Sequence, residues 1–80
     1  MKKFQLGFKY YFTAYGYNTE YTIAATCIKR TPVFATFQLS EIGSNFFRKS
    51  SLRLKVFTDD INEIVKYGKW TCVAYSEEEN

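Results

Sequence analysis

Between Lys3 and Thr13 the chain keeps one phase. Phe4, Leu6, Phe8, Tyr10 and Phe12 fall on one side, and Lys3, Gln5, Lys9, Tyr11 and Thr13 on the other. A two-residue period held over that length places successive side chains on opposite faces of a strand, one of which must be buried. This commits the chain to a sheet. Gly7 interrupts the predicted strand at its middle, where a glycine marks a bend, a bulge or a close backbone approach.

The same period recurs downstream. "GYNT" (16–19) predicts a turn, because Gly16 and Asn18 tolerate positive φ. A second strand over 20–29 follows, with Tyr21, Ile23, Ala25 and Cys27 on one face. Pro32, which has no N–H for a ladder, ends it. "VFATFQL" (33–39) faces Val33, Ala35, Phe37 and Leu39 one way, and "SLRLKVF" (51–57) sets Leu52, Leu54 and Val56 against Arg53, Lys55 and Phe57. Between them Ser40 caps a short helix with Ile42 and Phe46 on one side. "TDDINEIVKYG" (58–68) predicts a second helix: Thr58 or Asp59 caps it, Ile61, Ile64 and Val65 form a stripe, and Gly68 closes it. "KWTCVAY" (69–75) is a last strand.

The expected fold is therefore α+β. It is a small antiparallel sheet of about five strands with one or two short helices, in the order β-β-β-(α)-β-α-β. Residues 1–76 form the single domain, and 77–80 an acidic frayed tail. The alternative is a five-stranded oligonucleotide-binding-like (OB-like) barrel, whose helix also falls between strands three and four.

At 46% apolar and 20% aromatic residues, the chain is too hydrophobic to remain disordered. Its apolar runs are too short for a membrane helix, and the start "MKKFQLGFKYY" has no apolar region of a signal peptide. The expected location is the cytoplasm, that of the host cell if a phage encodes the chain. Cys27 and Cys72 then read as small buried apolar residues rather than a disulfide.

Chemistry is sparse. With no histidine there is no imidazole base and no Ser-His or Cys-His nucleophile, and no phosphate-binding glycine loop occurs. Asp59, Asp60 and Glu63 are the one compact acid cluster, and they read as the acidic first turn of the second helix rather than as a magnesium site. The expectation is a protein that is not an enzyme, with no cofactor and no metal.

Binding features are richer. Outside Glu77–Glu79 there are eleven basic and five acidic residues, a balance of +6, and from Lys29 to Lys55 six basic residues meet only Glu41. Eight aromatic rings lie between Phe4 and Tyr21. Those on the non-core face, with the basic residues, suit either phosphates and bases or a protein interface. The candidate partner-binding residues are Lys9, Tyr11, Tyr15, Tyr17, Lys29, Arg30, Arg48, Lys49, Arg53 and Lys55.

Lysine outnumbers arginine eight to three, and Phe, Tyr, Ile and Asn are abundant, a usage associated with AT-rich genes of phages and mobile elements. The expected function is a small binding protein encoded by such an element, which inhibits a host nucleic-acid-handling or defence complex by occupying its surface. An anti-CRISPR protein exemplifies that class. The expected partner is a host protein, with no membrane involved. The alternative is a single-stranded DNA- or RNA-binding domain that uses the exposed tyrosines and a basic patch. A homodimer through the long first strand is left open.

Overall fold

The computed structural model describes residues 2–75. The tail expected at 77–80 lies outside them. The element order is β1 (Lys9–Gly16), β2 (Thr19–Arg30), β3 (Phe34–Leu39), α1 (Glu41–Phe47), β4 (Ser51–Lys55), β5 (Phe57–Thr58), β6 (Glu63–Tyr67) and β7 (Trp70–Val73). All seven strands join one sheet in the order β4-β3-β2-β1-β7-β6-β5, and each neighbouring pair is antiparallel. The two edge strands, β4 and β5, are separated in sequence by Val56 alone. A sheet whose opposite edges are joined by one residue must curl until those edges meet, so the sheet is a nearly closed barrel. Its curvature agrees with the barrel alternative, but it has seven strands rather than five.

The barrel is filled from inside by alternate residues. Tyr10, Phe12 and Ala14 of β1, Ile23, Ala25 and Cys27 of β2, and Ala35, Phe37 and Leu39 of β3 are buried. Phe37 is central: its ring meets those of Phe4, Tyr10 and Phe12 edge to face, with centroids 5.1, 6.2 and 5.3 Å away.

Three expectations about this core need correction. Leu6 is exposed, because the chain turns at residues 6–7, where Gly7 takes φ 84°. The first strand therefore begins at Lys9 rather than Lys3, and residues 2–8 cross the open end of the barrel. Phe4 plugs that end, buried against Tyr10 at 4.9 Å. Tyr21 and Val33 keep to their predicted faces only nominally; both lie near strand ends, beyond the packed interior, and are exposed. β1 is flanked by β2 and β7, so it offers no edge for pairing with a second copy.

Ser40 caps α1 as expected, its Oγ accepting from the Gly43 N–H at 3.2 Å. The core side of the helix is not the Ile42–Phe46 side, and both of those residues are exposed. Instead Gly43 is buried against β2, and Phe47 stacks its ring edgewise on Phe12, Tyr67 and Trp70. A Cβ on Gly43 would stand 2.6 Å from Ile23 Cγ2 and 3.2 Å from Leu39 Cβ. Glycine-to-alanine in a helix ordinarily stabilises by about 1 kcal/mol. Here overpacking against two buried side chains reverses the sign, and Gly43→Ala is expected to destabilise by about 1–3 kcal/mol, read from urea unfolding. A more stable variant would mean that the helix stands off the sheet.

The second predicted helix does not form. Residues 57–67 make the β5–β6 hairpin. Asp59 Oδ1 accepts from the N–H groups of Ile61 and Asn62 at 2.7 and 2.6 Å, and these bonds hold its carboxyl below the usual range. A side chain bonding backbone two and three residues onward builds a turn as readily as a helix cap. Ile61 is exposed, whereas Glu63, Val65 and Tyr67 alternate inward. Gly68, φ 59°, opens the two-residue loop joining Tyr67 to Trp70 instead of closing a helix.

Candidate functional site

One end of the barrel carries the β1–β2 and β6–β7 turns together with α1, because β7 runs antiparallel to β1 and brings Trp70 alongside the end of β1. The other end carries the N-terminal crossing, the β2–β3 loop and the β5–β6 loop. The ten candidate residues divide between these places.

Tyr15 and Tyr17 stand exposed at the β1–β2 turn. Arg48 and Lys49 follow α1 at the same end, where the Lys49 ammonium lies 5.6 Å from the Tyr67 ring centroid. Arg48 adopts φ 58° as the C-cap of α1. Lys9, the first residue of β1, and Tyr11, two residues on, share its outer face, with Tyr11 half-buried. Lys29, Arg30, Arg53 and Lys55 lie toward the opposite end, so most of the length of β2 separates Tyr17 from Lys29. The tyrosines and this basic group do not form one platform.

The basic group is built by a register shift. From Ile23 to Cys27 the odd-numbered residues of β2 point inward. An irregularity between Cys27 and Lys29 inserts one residue against β3, so Lys29 pairs Thr36 and Arg30 pairs Ala35. The bulge reverses the phase: Lys29 goes out and Arg30 turns in. On the outer face Thr36 is also opposite Arg53, so Lys29, Thr36 and Arg53 form one row across three strands. At the usual strand spacing, its two cations are about 10 Å apart at their backbones. In the next row Phe34 pairs Lys55, and the Arg53 guanidinium stacks 3.8 Å from the Phe34 ring centroid. Lys55 leans toward the exposed Phe57 at 5.7 Å. A groove of about 320 Å³ runs through this face, lined among others by Ile28, Lys29, Phe34, Thr36, Ser51 and Arg53.

Arg30 has a structural post. It forms an ion pair with Glu63, which is 5% exposed, and its other nitrogen donates to the Thr31 and Phe34 carbonyls at 2.5 and 3.1 Å. The second Glu63 oxygen accepts from the Phe4 N–H at 2.9 Å. Glu63 thus fastens the N-terminal crossing to β2. Sequence reasoning placed Glu63 on a helix and missed this role. The signal available was an acid four residues after the Asp59 of an Asx turn, in phase with Val65.

A second and larger cavity, about 620 Å³, opens across the barrel end between Lys2, Lys3, Gln5, Thr31 and Pro32, with Arg30 at its floor. Arg30 and Thr31 line both cavities, and no carboxylate lines either among the described residues.

Cys27 and Cys72 are free and buried, and burial pushes both thiols above their ordinary value, so neither is prepared as a thiolate nucleophile. Among the described residues no helix is long and apolar enough to cross a membrane. No family model, curated protein or solved structure matches the chain.

Proposed function

We propose that this is a small non-enzymatic binding protein, encoded by a phage or mobile element, that inhibits a host nucleic-acid-handling or defence complex by occupying its surface, as anti-CRISPR proteins do. The observation that carries the docking face is the Lys29–Thr36–Arg53 row, with Arg53 stacked on Phe34. Two exposed cations around a flat aromatic stack provide charge steering and a rigid contact together. The nearly closed barrel, with its helix between the third and fourth strands, is compatible with the OB-like alternative.

Charge narrows the mode of occupation. A protein groove that holds nucleic acid is itself basic, so a basic face is repelled there. The face suits the nucleic acid carried by such a complex, or an acidic region beside it.

The test is affinity capture from a host lysate with the intact protein and with the Lys29→Glu/Arg53→Glu variant. A stoichiometric nucleic-acid-handling complex is expected with the former. The charge reversal is expected to reduce capture by roughly tenfold or more, because like charges in contact cost several kcal/mol. Equal capture by both proteins, or recovery of free nucleic acid alone, would overturn the reading.

A further inference from the structure

The two cavities are one surface. The groove on the barrel wall and the basin across the barrel end meet at Arg30 and Thr31, which line both. Lys29 and Arg53 stand at one end of this track, and Lys2 and Lys3 at the other. The Arg30 charge between them is answered by Glu63, so Arg30 serves as floor rather than as contact.

We infer that the track grips a single-stranded nucleic-acid segment, of the kind displayed by a nucleic-acid-handling complex; this rests on the reading of the β2–β3–β4 face as the docking face. Three features select that ligand. A chain touching both cavities must bend over the β2–β3 loop, from the wall of the barrel to its end. A flexible single strand does this, whereas a duplex, with a persistence length of about 150 base pairs, does not at this scale. The cations are spread along the path rather than gathered at one point, which matches a charge repeated along a backbone. The Arg53–Phe34 stack, 3.8 Å apart, presents a flat cation on which a base can continue the stacking. The exposed Tyr15 and Tyr17, at the far end of β2, take no part.

The experiment is fluorescence anisotropy of labelled oligothymidylate, twelve nucleotides long, and of a twelve-base-pair duplex, across a range of potassium chloride concentrations. The intact protein is expected to prefer the single strand by at least tenfold. Its affinity should fall with salt at a log–log slope of about −2, the value for about three phosphate contacts on a single strand, those of Lys3, Lys29 and Arg53. Lys29→Ser/Arg53→Ser should cut that slope to about a third and weaken binding tenfold or more with the circular dichroism spectrum unchanged. Lys69→Ser, in the β6–β7 turn at the opposite end of the barrel, should change neither. Equal affinity for duplex, competition by polyglutamate as strong as by unlabelled oligothymidylate, or no binding at all would overturn the inference. If the oligonucleotide does not bind but a host complex is captured through Lys29 and Arg53, this inference fails and the proposed function stands. If it binds with no complex captured, the reverse holds.

Discussion

Glu63→Ala is expected to remove about 3–5 kcal/mol, a large share of the protein's stability. Glu63 is the buried acid that answers Arg30 and receives the Phe4 N–H, and Arg30 is itself mostly covered. Removing one partner of such a pair strands the other charge and costs about 3–5 kcal/mol. A domain of this size has roughly 4–12 kcal/mol in total, with small cores at the low end. The urea midpoint should fall by about 3–5 M, given a slope near 1 kcal/mol per molar, or the transition should vanish. Arg30→Met/Glu63→Gln should recover much of the loss, because it removes both charges and keeps an oxygen for the Phe4 N–H. A Glu63→Ala protein as stable as the parent would show that the crossing is not fastened there.

Phe37→Ala follows at a similar size. Phe37 is fully buried, and three rings lean on it from the barrel wall and from the plug. Truncating a buried phenylalanine costs about 3–5 kcal/mol, the larger values arising where the site cannot collapse. Ring-on-ring packing inside a curved sheet collapses poorly, so the upper half of that range is expected from chemical denaturation. Phe57→Ala is the control. Phe57 is exposed on the two-residue β5, and its loss should lie within about 0.5 kcal/mol. Comparable losses for the two variants would contradict the assignment of the core.

The sheet was legible because its strands keep the two-residue period over buried stretches. Phe12, Ile23, Ala25, Phe37 and Leu52 point where alternation puts them. Gly7 was legible as a bend, though not as the end of a chain crossing that plugs the barrel. The β5–β6 hairpin was hidden by Glu63 itself. A charge at an inward position breaks the visible alternation with Val65 and leaves Ile61, Ile64 and Val65 to imitate a helix stripe. Nothing local distinguishes an Asx turn from a helix cap; what decides is the pairing of β6 with β7, a contact made elsewhere in the chain.

The site was legible residue by residue and not as an arrangement. Lys29, Arg53 and Lys55 stand out as basic residues in a run poor in acids, but only the sheet register brings Lys29 and Arg53 into one row. The bulge after Cys27 decides which of Lys29 and Arg30 faces outward, and such a one-residue slip has no marker in "CIKR". The tyrosines mislead for the same reason. They are close in sequence to Lys9, yet β1 and β2 carry Tyr15 and Tyr17 to the far end from the basic groove.

The central claim is that the β2–β3–β4 face makes the contact. The most direct test is a titration of the isotope-labelled protein with unlabelled oligothymidylate, followed through its backbone amide resonances by nuclear magnetic resonance. The account predicts shifts concentrated at Lys29, Thr31, Thr36 and Arg53, with those of Tyr15 to Asn18 unmoved. Shifts centred on the β1–β2 turn or on Ile42 and Phe46 of α1, with the basic row unmoved, would contradict it.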